Sequence, residues 1–135
     1  MEISLKTKLD NRIIVLYIIM LAFHIAHVFE EVYGRFWILN SVGLKWFLII
    51  NWILFLFPLL FFYLLLAGYK LSIYLGMLYS LIMIINGLMH NTAYFVTGKY
   101  FDGFAGGITG IFLILTGIPL FFNLKKRIKI GFKLK

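Results

Sequence analysis

The chain has 135 residues, of which 63% are hydrophobic and only 13% charged, whereas soluble domains carry roughly a quarter charged residues. A water-soluble domain is excluded on that ground, and the absence of cysteine excludes disulfides and thiolate metal sites. The formal net charge of +8 sits beside apolar blocks, where basic residues set orientation and attract anionic lipid head groups, so it does not indicate nucleic acid.

Four apolar blocks approach the ~20 residues that cross a bilayer core. They predict spans over 13–32, 46–67, 71–92 and 104–124 in a single domain of 1–135, an all-α membrane protein built as a four-transmembrane-helix bundle. The first block lacks the small-residue cleavage site of a secretory signal and reads as a permanent span. The segment Tyr33–Lys45 follows, and Gly34, Asn40, Ser41 and Gly43 punctuate it as a non-helical connection. Its Phe36, Trp37, Ile38 and Leu39 suit the membrane interface.

The second and third spans are separated only by Gly68, Tyr69 and Lys70, which makes them antiparallel neighbours. The second and fourth spans contain Pro58 and Pro119, tolerated in membranes where neighbours satisfy the freed carbonyl. The last span opens on Gly103, Gly106, Gly107 and Gly110, two overlapping small-xxx-small pairs that invite close backbone approach. Packing inside the bundle is the first reading of this face, and a homodimer contact is the alternative.

Basic residues partition between the two ends. Lys6, Lys8 and Arg12, then Lys70, then the tail 125–135 with Lys125, Lys126, Arg127, Lys129, Lys133 and Lys135 lie on one side. Arg35, Lys45 and Lys99 lie on the other. This bias puts both termini in the cytoplasm and the protein in the cell membrane as a multi-pass chain. The tail alternates basic and apolar residues and could lie along the inner leaflet.

Polar side chains within the spans are costly and therefore informative. The first span holds His24, His27, Glu30 and Glu31; the second Asn51; the third Asn86, His90 and Asn91; the fourth Thr109. At ~1.5 Å rise per residue, His24 lies ~2 Å outside the midplane, His27 and Asn86 ~7 Å, Asn51 and Thr109 ~8 Å, and Glu30, Glu31 and His90 ~11–13 Å. All lie in the outer half. At ~100° per residue, the four polar residues of the first span fall within an arc of roughly 120°, and Asn86 and His90 stack one turn apart.

The segment His27–Val28–Phe29–Glu30–Glu31 reads H-x-x-E-E in a first transmembrane segment. It resembles the HXXEE family of small bacterial membrane proteins, which carries no established activity to import. Asn86–Gly87–Leu88–Met89–His90 is similar to that family's N-x-x-x-H element. Tyr100–Phe101–Asp102–Gly103, followed by Gly107–Ile108–Thr109, is similar to its aromatic, glycine and threonine segment, with Asp102 where the family commonly has proline. The zinc-protease motif H-x-x-E-H does not transfer, because Glu31 stands at the last position.

Two imidazoles and a carboxylate suit zinc or non-haem iron. His27 and Glu31, one turn apart, chelate together, and His90 completes the set from the third helix. Asn86, His24, Asn51 and Thr109 remain as outer-shell groups or alternative ligands. Glu30 is then free as catalytic acid or base. The composite expectation is a metal-dependent or acid–base enzyme in the outer half of the bilayer, acting on a lipid, isoprenoid or membrane-inserted peptide. Two alternatives keep the same cluster: a small transporter or proton-relay subunit, and a non-catalytic binding or immunity protein. Nothing resembles a phosphate loop or a nucleic-acid module.

Overall fold

A computed structural model describes residues 9–133; Lys6, Lys8 and Lys135 of the basic bias fall outside them. The chain forms α1 (Asn11–Tyr33), a short α2 (Trp37–Val42), α3 (Leu44–Leu66), α4 (Lys70–Thr97) and α5 (Gly107–Lys133), with a tight turn at Tyr100–Phe104 before the last helix. The described residues contain no strand. The fold is the expected all-α four-helix bundle: α1, α3, α4 and α5 are each long and apolar enough to cross a membrane.

The helix ends are set by local chemistry. Asp10 caps α1 by accepting from the Arg12 amide at 2.9 Å, an arrangement that satisfies one orphan donor of the first turn. Gly98, at φ 65, ends α4 with its amide bonded to the Tyr94 carbonyl, the left-handed cap that favours glycine. That places the end of α4 five residues beyond the expected Thr92. Two further expectations need correction. The connection after α1 is not wholly irregular, because α2 occupies it between Phe36 and Gly43. The last span starts at Gly107 and not at residue 104, since Asp102 at φ 55 and Gly106 at φ 118 break the helix before it. At the other end α5 continues as one helix to Lys133, so the described part of the tail is a helical extension of the span and not a separate segment.

α4 and α5 approach most closely. At their crossing a Cβ on Gly87 would stand 2.3 Å from the Gly110 carbonyl oxygen. Asn91 spans the same seam, donating to the Gly87 carbonyl at 2.8 Å and the Gly107 carbonyl at 3.0 Å. Gly106, Gly107 and Gly110 are therefore buried inside the chain, against α1 and α4. α1 packs on α5, with Phe23 and Phe112 stacked at 4.8 Å, and on α4 through Tyr17 and Tyr79 at 5.6 Å. α3 lies outermost, joined to α1 by the Tyr17 hydroxyl, which donates to the Pro58 carbonyl at 3.1 Å.

The core divides by height. Near the chain ends it is apolar, formed by Ile13, Tyr17, Met20, Leu65, Ile73, Leu113, Leu120 and Leu124. Toward the opposite end, apolar residues give way to His24, His27, Glu31 and His90, all buried. Large apolar side chains such as Trp52, Leu56, Leu78 and Leu115 cover the outside, as a surface solvated by lipid requires.

Gly87→Ala tests the seam. Alanine improves helix propensity by about 1 kcal/mol, but a methyl group driven into a backbone carbonyl costs about 1–3 kcal/mol. The clash should win, and thermal unfolding in detergent should show a lowered midpoint.

Candidate metal centre

α1 carries the first two elements of the site because its 3.6-residue repeat stacks His27 under Glu31 on the face turned to α4 and α5. His90 arrives from α4. His27 and Glu31 approach at 3.6 Å between Nε2 and Oε1, and His90 Nε2 lies 3.2 Å from the same oxygen. One donor atom from each residue falls within 4.8 Å of the others, and all three side chains are buried. Ligands bound at 2.0–2.2 Å in a tetrahedral shell stand roughly 3.3 Å apart, so these two separations suit neighbouring ligands as well as a His–Glu hydrogen bond. This is a buried group that could hold a metal ion, and it is the only such group among the described residues.

The imidazoles meet edge to face, with centroids 4.8 Å apart and planes at 89°. Phe36, at the start of α2, covers His90 with its ring centroid 4.7 Å away. On another side the backbone of Gly106 closes over both rings: a Cβ there would lie 2.7 Å from His27 Cε1 and 2.8 Å from His90 Nδ1. The His90 Nδ1 atom is buried without a hydrogen-bond partner, the kind of orphan that calls for an explanation.

Glu30 points to a different set of partners. Its Oε1 accepts from the Ile108 amide at 2.9 Å and from the Tyr100 hydroxyl, while Oε2 accepts from the Thr109 amide at 2.7 Å and from the Thr109 hydroxyl. Two of these donors are first-turn amides of α5, which have no partner within their own helix. The carboxylate thus caps α5 from across the bundle, in the position where the helix dipole favours negative charge. Tyr100 lies outside the spans, and its phenol is pushed above its ordinary pKa by burial first and then by the Glu30 carboxylate it bonds, so it stays a donor.

The remaining candidates separate by what they touch. Asn86 donates to His27 Nε2 at 2.9 Å and Thr109 Oγ1 lies 2.9 Å from His27 Nδ1, so both ring nitrogens of His27 have a partner. His24 sits one turn deeper, with Nδ1 3.2 Å from the Tyr79 hydroxyl and its ring against Phe55. Asn51 turns back to the Phe47 carbonyl of its own helix at 2.9 Å. The structure brings together His27, Glu31, His90, Asn86 and Thr109, which the sequence sets in one half of the spans; depth and helical angle signal neither Phe36 nor the Gly106 backbone. Tyr100 stood in the aromatic segment of the family resemblance, but nothing in the sequence paired it with Glu30.

Two loops hold this end of the bundle shut. The Asp102 amide donates to the Gly34 carbonyl at 2.8 Å, and Arg35 pairs with Asp102 at 3.9 Å on the surface. Gly34 packs so tightly that a Cβ would fall 2.2 Å from Ala105 Cβ. Compared with protein-family models, curated proteins and solved structures, the chain matches none.

His24→Phe should leave metal binding unchanged while lowering thermal stability, because its bond to Tyr79 is lost and the three-residue group is untouched. Metal uptake and the unfolding midpoint of the same purified sample check both expectations.

Proposed function

We propose that the chain is a membrane-embedded metalloenzyme, with zinc or non-haem iron held by His27, Glu31 and His90, acting on a lipophilic substrate in the outer half of the bilayer. The observation that carries this reading is the convergence of two imidazoles and one carboxylate, buried, with donor atoms within 4.8 Å. Burying such groups without a shared ion is expensive. Three protein ligands match the pattern of catalytic zinc sites, which leave a position for water or substrate; two histidines with one carboxylate equally match non-haem iron.

Orientation is part of the proposal. Arg12, Lys70, Lys125 and Lys126 cluster at the end of the bundle opposite the centre, with Arg35, Lys45 and Lys99 at the near end, which supports cytoplasmic termini. The centre then faces the outer leaflet. A lipophilic substrate follows from the surroundings, since the exposed surface of the spans is apolar and a molecule reaching the site from the side must partition into lipid. Kinship with HXXEE-motif proteins is proposed on the same residues: His27 and Glu31 of α1 lie with Asn86 and His90 of α4, and Glu30 reaches His27 through Thr109.

A proton relay through the membrane is less well supported. Below the centre, the hydroxyls of Ser80 and Thr116 donate to carbonyls of their own helices at 2.8 and 2.7 Å, and Tyr17 donates to Pro58. Each of these groups ends on a backbone oxygen.

Elemental analysis of detergent-purified protein tests the reading. Near-stoichiometric zinc or iron is expected in the wild type, with loss of the metal from His27→Ala, Glu31→Ala and His90→Ala variants that retain their helical circular dichroism. A folded wild type that takes up neither metal on reconstitution would rule out the proposal.

A further inference from the structure

The carboxylate beside the centre does more than cap a helix. The Thr109 hydroxyl has one hydrogen and three neighbours that could take it: Glu30 Oε2, His27 Nδ1 at 2.9 Å and the Gly106 carbonyl at 3.5 Å. Three other donors surround the two oxygens of Glu30, the Tyr100 hydroxyl and the Ile108 and Thr109 amides, the arrangement of a carboxylate that accepts and does not donate. If the hydroxyl hydrogen were turned to His27 instead, the Thr109 hydroxyl and an accepting carboxylate oxygen would face each other with no hydrogen between them. The hydrogen therefore lies on the Glu30 side, and His27 Nδ1 must be the donor to Thr109 Oγ1.

The other ring nitrogen agrees. With the proton on Nδ1, Nε2 carries the lone pair and accepts from the Asn86 amide at 2.9 Å. Glu31 Oε1 lies 3.6 Å from the same nitrogen. We infer that Glu30 and Thr109 form a positioning relay, carboxylate to hydroxyl to imidazole, that locks His27 in the Nδ1–H tautomer and keeps the lone pair on Nε2, where a metal would take the place of the Asn86 hydrogen bond. An intervening hydroxyl here does what a carboxylate or carbonyl commonly does directly behind a metal-bound histidine. The tautomer inference stands on hydrogen-bond geometry alone; only its consequence for metal affinity rests on the metalloenzyme reading. Glu30 acts through another residue and is not itself placed against a reacting atom.

Nitrogen-15 NMR of the metal-free protein labelled at histidine, with signals assigned by single-histidine substitutions, reads the tautomer directly. The wild type should show His27 protonated at Nδ1, and protonation at Nε2 would overturn the inference without recourse to any variant. Thr109→Val, nearly isosteric, should give a mixed or inverted tautomer and weaken zinc binding by about 10–100-fold in chelator competition; Thr109→Ser should restore both. A folded Thr109→Val protein with the wild-type tautomer would refute the relay. A wild type that binds no zinc yet shows the Nδ1–H form, lost in Thr109→Val, would sink the metal assignment and leave the relay standing.

Discussion

A carboxylate placed among apolar helices must find hydrogen-bond donors, and Glu30 finds four from a single stretch of chain 70 or more residues away. The cost of leaving such a group unpaired in hydrocarbon is several kcal/mol on the order of translocon scales, so this contact dictates much of the end of the bundle that carries the centre. It ties α1 to the first turn of α5, and through Tyr100 it draws in the turn that precedes that helix. The same stretch supplies Gly106, whose backbone seals the two imidazoles. Fixing Glu30 therefore fixes the walls of the neighbouring centre.

The rest of the bundle is arranged so that this end can be polar. Toward the termini, Tyr17, Met20, Leu113, Leu120 and Leu124 belong to an apolar core, in which the Tyr17 hydroxyl finds its partner in the Pro58 carbonyl. Where α4 and α5 cross, Gly87 and Gly110 bring the backbones together, and Asn91 satisfies a carbonyl on each side. Lipid supplies little driving force between helices, so small residues and interhelical hydrogen bonds carry the association. α3 contributes least to this seam and most to the lipid-facing surface, with Trp52, Ile53, Leu56 and Leu60 exposed.

Most of the architecture was legible because the bilayer restricts the choices. Long apolar runs must be helices, and a three-residue connection at Gly68–Lys70 leaves only an antiparallel pair. The ends were less legible. α4 runs on through Ala93, Tyr94, Phe95 and Val96 to Thr97, because the polar pair Asn91 and Thr92 resembles a helix end but is followed by another apolar turn before Gly98 caps the helix. α2 escaped notice because Gly34, Asn40 and Gly43 look like loop residues, although the six residues between Phe36 and Gly43 close a short helix. At position 102 the left-handed φ of 55 suits aspartate and would exclude proline, whose ring holds φ near −65°.

The centre was readable where spacing and depth combined. His27 and Glu31 share a face by their i, i+4 separation, and His90 meets them at matching height. Asn51 had the right depth, yet its side chain turns to Phe47 of its own helix. His24 shares the face of α1 but lies one turn deeper and belongs to Tyr79. What no periodicity could reveal was the behaviour of Glu30, because its partners are backbone amides and a phenol contributed by a distant turn. X-ray absorption at the metal edge of the zinc- or iron-loaded protein bears most directly on the central claim. The expected spectrum has nitrogen and oxygen ligands at about 2.0–2.2 Å with outer-shell scattering from two imidazoles. A shell without imidazole scattering would contradict the account.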